Sequence, residues 1–116
     1  MRILIADDQP GILLAFRLLL AELPAFEIVG EATDSQELVT AVNNMAPDLL
    51  LLDWELPGKP SLDQLRQIRP GLQIAAMSSR PEAEEAALSA GATIFISKGA
   101  LPEQVVTAVA SLLPAS

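Results

Sequence analysis

The sequence predicts an α/β domain in which a five-stranded parallel sheet is doubly wound by helices. Three observations carry that expectation. Apolar runs of strand length alternate five times with stretches of helical periodicity, joined by short connections. The run Leu49-Leu50-Leu51-Leu52 has no polar side at all, and a strand buried on both faces belongs in a parallel sheet. Prolines fall at the borders of these segments, where a missing N–H does least harm.

Arg2 to Ala6 is the first expected strand, ending at Asp7-Asp8. Pro10 suits the first turn of the following helix, with Asp8 or Gln9 near its cap. That helix runs to about Leu23, stopped before Pro24, and Ile12, Phe16, Leu19, Leu20 and Leu23 form its inward stripe. Leu14 and Leu18, one turn apart, fall on the opposite face, flanked by Leu13. Glu27 to Ala32 alternates as a second strand. Asp34 and Glu37 resemble a capping box, opening a helix that buries Leu38, Ala41, Val42 and Met45 and ends at Pro47. Asp48 to Asp53 is the third strand, followed by the loop Pro57-Gly58-Lys59-Pro60.

Ser61 with Gln64 caps a short third helix carrying Leu62, Leu65 and Ile68, closed by Pro70-Gly71. Leu72 to Met77 is the fourth strand and delivers Ser78-Ser79. Ser79 with Glu82 offers another capping box, with Pro81 just inside the helix start. The fourth helix, roughly Glu82 to Ala90 and also short, stops at Gly91. Ala92 to Ser97 is the fifth strand and delivers Lys98. A last helix over about Leu101 to Leu113 turns Val105, Val109 and Leu112 inward, and Pro114-Ala115-Ser116 reads as the start of a linker.

Composition narrows the chemistry. A chain of 116 residues makes one domain with its own core and needs no disulfide or metal staple. Aromatics are only 3% of it, so the core is Leu, Ile, Val and Ala. Cysteine and histidine are absent, which excludes disulfides, thiol catalysis, Cys or His zinc sites, Ser-His triads and any imidazole base. Carboxylates remain. The net charge of −8 argues against this segment gripping nucleic acid by itself and suits cations. No run resembles a signal peptide or reaches transmembrane length, so a soluble cytoplasmic domain without a membrane partner is expected.

The strand ends point to function. Ligands of open parallel sheets bind beyond the carboxyl ends of the strands. Here those ends carry Asp7-Asp8, Asp53, Ser78 and Lys98. With the first strand beside the third, three carboxylates, a hydroxyl and an ammonium converge. Two carboxylates about 5 Å apart repel by roughly 3 kcal/mol at an effective dielectric of about 20. A divalent cation with oxygen ligands offsets that best, and magnesium takes a few carboxylates while keeping waters for an incoming phosphate. Taken singly, Asp8 is a helix cap, Ser78 a turn residue and Lys98 a solvated charge. Those readings do not account for all four strand ends together.

The ordered set resembles the receiver domain of two-component response regulators, across the whole chain. The residues that carry the resemblance are Ile5-Ala6-Asp7-Asp8, Leu51-Leu52-Asp53-Trp54-Glu55-Leu56-Pro57-Gly58, Ser78, Gly91-Ala92 and Phe95-Ile96-Ser97-Lys98. The Asp7-Asp8-Gln9-Pro10 opening and the Glu27 to Ala32 strand look most like the branch that carries a C-terminal helix-turn-helix DNA-binding domain. The resemblance implies a flavodoxin-like strand order of 2-1-3-4-5, with residues 1–116 as the receiver and any output domain lying beyond residue 116. It implies that Asp53 accepts a phosphoryl group from a histidine kinase, a phosphotransfer protein or a small phosphodonor. Asp8 would bind Mg2+ directly, Asp7 directly or through water, and Glu55 through its backbone carbonyl, with Asp53 completing the set. Ser78 and Lys98 would hold phosphoryl oxygens, and Ser78 and Phe95 would form the switch. The implied output face is the fourth helix, fifth strand and fifth helix. The chain would then be no enzyme beyond its own phosphoryl transfer and autodephosphorylation.

Several features set this chain apart. The segments from Asp53 to Ser78 and from Ser78 to Gly91 are short for the family, Lys98 is followed by Gly99 where many receivers have proline, and Glu55 adds an acid beside the metal set. Leu14 and Leu18 offer a patch for a kinase helix or a second copy of the chain. Two other classes compete with a phospho-switch. A receiver-like interaction module acting without phosphorylation would not need the intact acid set, and a stand-alone single-domain adaptor is the further alternative. A flavodoxin-type enzyme would need a Ser/Thr/Gly-rich phosphate loop and aromatics around a flavin, whereas the chain has Asp-Asp-Gln-Pro, no tyrosine and Trp54 alone.

Overall fold

The computed structural model describes residues 1–114, so Ala115 and Ser116 of the expected linker lie outside the described residues. Five strands, β1 (Arg2–Ala6), β2 (Glu27–Ala32), β3 (Leu49–Asp53), β4 (Gln73–Ser78) and β5 (Ile94–Ser97), alternate with five helices. These are α1 (Pro10–Ala21), α2 (Ser35–Met45), α3 (Leu62–Ile68), α4 (Ala83–Ser89) and α5 (Pro102–Ala110). The strands are parallel and ordered β2-β1-β3-β4-β5, as expected.

Alternation along the strands decides which helices cover which face. Leu4, Ala6, Leu50, Leu52, Ile74 and Ala76 face α2, α3 and α4, meeting Leu38, Val42, Leu62, Leu65 and Ala87. Ile3, Ile5, Leu49, Leu51, Ala75 and Met77 face α1 and α5, meeting Leu13, Phe16, Leu20, Val105 and Val109. Every residue of β3 is buried, so the four leucines divide between the two layers two and two. At roughly 1.5–3 kcal/mol per buried aliphatic side chain, this strand is a large contributor to the fold.

Several local expectations are corrected. Leu13 belongs to the core and not to the exposed patch, because the inward stripe of α1 runs through Leu13, Phe16 and Leu20. Ile12, Leu19 and Leu23 lie at its margin, half-buried. Met45 is exposed, since it ends α2 over the edge strand β2, where its side chain lies against Gly30. Ile68 is exposed as well, because each three-residue step rotates about 60° off the helix face and Leu62 and Leu65 already occupy it. Helices α3 and α4 are short, at seven residues each.

The caps fall out unevenly. Ser61 and Gln64 form the complete reciprocal box. Asp34 accepts the Glu37 N–H, but the Glu37 carboxylate reaches past the cap to Thr33, whose hydroxyl and N–H hold that carboxyl below its ordinary pKa. The Ser79–Glu82 box does not form. Glu82 already has helical dihedrals, and tight turns from Arg80 to Ala83 and from Pro81 to Glu84 lead into α4. Gly91, at φ +107°, stops α4 in a conformation that only glycine adopts readily.

Candidate functional site

Parallel register sets the strand ends side by side. Ala6 pairs with Leu52, Asp53 with Met77, and Ser78 with Ser97. One residue further along, Asp7, Asp53 and Lys98 emerge at the same edge, and the Lys98 N–H donates to the Ser78 carbonyl at 2.9 Å. The strands are short and their core sides are full, so these polar residues have nowhere to go but the crevice above the sheet.

Asp7, Asp53 and Ser78 are buried, whereas Asp8 is exposed. Carboxylate oxygens of Asp7, Asp8 and Asp53 lie within 4.8 Å of one another. The Lys98 ammonium stands 2.8 Å from Asp7 Oδ2 and 3.3 Å from Asp53 Oδ1, and donates to Gln9 Oε1 at 3.2 Å. Backbone N–H groups fix one oxygen of each buried acid. Gln9 donates to Asp7 Oδ1 at 2.9 Å, and Glu55 donates to Asp53 Oδ1 at 3.0 Å. Asp7 Oδ2 is buried and has no backbone donor, and it faces the Lys98 ammonium at 2.8 Å.

Electrostatics follow from this crowding. Burial pushes the Asp53 carboxyl above the ordinary carboxylate range; the Glu55 N–H and Lys98 oppose the rise, and the Asp7 charge adds to it. Burial alone would pull the Lys98 ammonium down, but contact with Asp7 and Asp53 outweighs it and holds Lys98 above its usual value. With three acids against one lysine, negative charge is in excess. A buried carboxylate oxygen with no backbone donor, two further acids within reach and no imidazole or thiolate ligand suit a hard, oxygen-preferring divalent cation. The residues present therefore fit such an ion.

The receiver-domain model of response regulators matches residues 3–110 of this chain. The chain belongs to the response regulator receiver family. It is 36% identical over 118 residues to the transcriptional activator protein ExaE of Pseudomonas putida, covering 97% of this chain and 55% of that protein. It is 29% identical over 112 residues to the nitrate/nitrite response regulator protein NarL of Escherichia coli K12, covering 92% of this chain and 52% of that protein. The chain thus spans about half the length of these curated relatives. The isolated receiver domain of RcsB from Salmonella enterica serovar Typhimurium, solved in the presence of a beryllofluoride phosphomimetic, superposes with a TM-score of 0.85 at 25% identity. That match covers 97% of this chain and 87% of the other.

Within this receiver, the expected residues come together with one rearrangement. Asp7, Asp8, Asp53 and Lys98 form the cluster, whereas Ser78 is turned toward Glu55. Its hydroxyl donates to Glu55 Oε1 at 2.8 Å and accepts the Arg80 N–H at 3.0 Å. The Glu55 carboxylate, whose other oxygen is 3.2 Å from the Arg80 guanidinium, thus stands outside the acid trio. Phe95 is half-buried against the layer under α2, α3 and α4. The Lys98–Gly99 bond is trans.

Leu14 and Leu18 are exposed, at 55% and 64%. Leu18 borders an apolar groove of about 440 Å³ between α1 and the start of α5, whose wall includes Phe16, Leu19, Pro102 and Val105. Leu14 lies outside that groove. Lys98 lines both the groove and the acid crevice. Two residues of the site carry no signal of their own in the sequence. Gln9 reads as near a helix cap and proves to hold Lys98, and Arg80, to which the sequence assigns no role, closes the Ser78–Glu55 contact. Among the described residues no helix is long and apolar enough to cross a membrane.

Proposed function

We propose that this receiver is a phospho-accepting switch that takes a phosphoryl group on Asp53. The observation that supports it is the cluster of Asp7, Asp8 and Asp53 closed by Lys98 at the carboxyl edge of the sheet. In the reaction a carboxylate oxygen of Asp53 attacks phosphorus in line, a new O–P bond forms, and the P–N bond of a phosphohistidine or the P–O bond of a small donor breaks. The chain has no histidine, so a phosphohistidine donor has to be supplied by a histidine kinase or a phosphotransfer protein. Asp7, Asp8, Asp53 and the backbone carbonyl of Glu55 hold Mg2+, which when bound supplies the positive charge that the transferring oxygens need. Lys98 presents the second positive charge, already oriented by Asp7, Asp53 and Gln9, so that the protein mostly positions. Ser78 donates its hydroxyl to the transferred group, and Phe95 follows by moving further into the space beside α4. The chain turns over no substrate besides its own phosphoryl group.

We place the domain in the cytoplasm, as the regulatory half of a transcription regulator whose DNA contacts are made by a helix-turn-helix segment elsewhere in the full protein. The match to a transcriptional activator about twice this length supports that placing. Leu14 and Leu18 offer an apolar contact to the kinase or to a second copy of the chain.

Trp54, the sole tryptophan, adjoins Asp53 and makes the test direct. Magnesium followed by beryllofluoride is expected to change its fluorescence, and acetyl phosphate to label the wild type but not Asp53→Asn. A folded wild-type protein that neither responds nor labels would refute the switch.

A further inference from the structure

Ser78 is buried, and its hydroxyl has a single proton to donate. That proton is directed at Glu55 Oε1, 2.8 Å away, while the Arg80 N–H occupies a lone pair of the same oxygen. The Arg80 side chain returns to Glu55 Oε2 at 3.2 Å, so three contacts close a ring through Ser78, Glu55 and Arg80. The ring is unequal in strength. Arg80 is more than half exposed and its ion pair with Glu55 is weakened by water. The bond from a buried hydroxyl to an ionised carboxylate is the strong member.

Resting on the reading of Asp53 as a phosphoryl acceptor, we infer that Glu55 is a positioning residue that latches Ser78 in the off orientation. Ser78 follows Met77, the β4 residue paired with Asp53, so its hydroxyl is the group of β4 nearest the acceptor edge. A phosphoryl oxygen on Asp53 can receive the Ser78 proton only after Glu55 has lost it. Glu55 and the phosphoryl group therefore compete for one donor, and the strength of the Glu55 contact sets how readily the switch turns on. Glu55 Cα is tied to the acceptor by its own N–H, which donates to Asp53 Oδ1. The latch is thus anchored at the residue whose modification must open it.

A bland alternative makes a different prediction. If Glu55 acts only as a negative charge near an anion site, removing it helps anions whether or not Ser78 has a hydroxyl. A double-mutant cycle separates the two. Beryllofluoride affinity in the presence of magnesium is read from Trp54 fluorescence in wild type, Glu55→Ala, Ser78→Ala and the double variant. The latch predicts roughly tenfold tighter binding in Glu55→Ala, no comparable gain when Glu55→Ala is added to Ser78→Ala, and an intermediate value for Glu55→Gln, whose amide oxygen still accepts a weaker bond. In the metal-free protein, the Arg80 amide is expected to exchange with solvent faster in Glu55→Ala, as the Ser78 hydroxyl oxygen that accepts it is freed to turn away. Equal affinity of wild type and Glu55→Ala overturns the latch, and so does an undiminished gain in the Ser78→Ala background. A wild type that does not respond to beryllofluoride at all overturns the phosphoryl-acceptor reading and the latch with it.

Discussion

The two ends of the same strands solve opposite problems. At the amino end of β1 and β3, Asp48 accepts the Arg2 N–H at 2.8 Å on one oxygen and faces Arg69 at 3.3 Å on the other. Arg2 and Arg69 in turn donate to the carbonyls of Met45 and Pro47, closing the C-terminus of α2. One acid meets a backbone N–H and one guanidinium, all with some access to water. At the carboxyl end, three acids share one lysine, two of the acids are buried, and an oxygen of Asp7 has no backbone donor. The same chain thus satisfies its charges at one edge and leaves them in deficit at the other. A deficit of this kind is costly to stability and is the usual mark of a site that awaits a charged ligand.

The sharpest way to break the contrast is to remove the Lys98 ammonium from the crowded end. Lys98→Ala leaves Asp7 and Asp53 facing each other in a buried site and is expected to destabilise the metal-free protein by about 3 kcal/mol in urea denaturation. A loss below about 1 kcal/mol would mean that the facing acids cost the fold less than their burial suggests. The pH dependence has a definite sign. Lys98 is raised above its ordinary value, so its contribution is full below about pH 10.5 and is lost as pH climbs through the higher folded-state value. That alkaline loss should be missing from the Lys98→Ala profile.

Asp53 works the other way. Its folded-state pKa is raised, so the folded chain binds that proton more tightly than the unfolded chain does. Ionised Asp53 therefore costs stability in full above the raised value, and acidification toward the ordinary value of 3.8 removes the cost. Asp53→Asn should accordingly melt higher than wild type near neutral pH, by about 4 °C, with the gap closing as pH falls through this window. A lower melting point at neutral pH would show that the Lys98 contact outweighs burial.

The amino end should respond more weakly and without functional effect. Asp48→Asn keeps an acceptor for Arg2 and loses only exposed ion pairing, so about 0.5–1 kcal/mol is expected, with acetyl phosphate labelling unchanged. The smallest effect is a gain. Ala46 closes α2 with φ +46°, a left-handed conformation that suits glycine, so Ala46→Gly should stabilise by about 0.5–1 kcal/mol in the same denaturation.

What was legible in the sequence follows the range of the interaction. Strand positions, their burial on both faces and the acids at their ends rest on local pattern, and Leu49 to Asp53 shows all three at once. The residues misplaced by pattern, Leu13, Met45 and Ile68, each lie where a helical stripe is a few tens of degrees or one residue from its limit. The Ser79–Glu82 cap failed because Glu82 had already entered the helical conformation, which no spacing rule reveals. Glu55, Ser78 and Arg80 were illegible as a group for a different reason. Glu55 lies 23 residues before Ser78 and 25 before Arg80, and their contact exists only because β3 and β4 are neighbours and a serine rotamer points one way rather than another.

Lys98 is a wall common to two chambers, the acid crevice on one side and the apolar groove of α1 and α5 on the other. Its ammonium has one position at a time. Any occupant of the groove that displaces it changes the charge seen by Asp53, and by reciprocity a change of charge on Asp53 alters the affinity of the groove by the same factor. A ligand seated in the groove against Lys98 would therefore be coupled to the charge at the sheet edge through a single side chain.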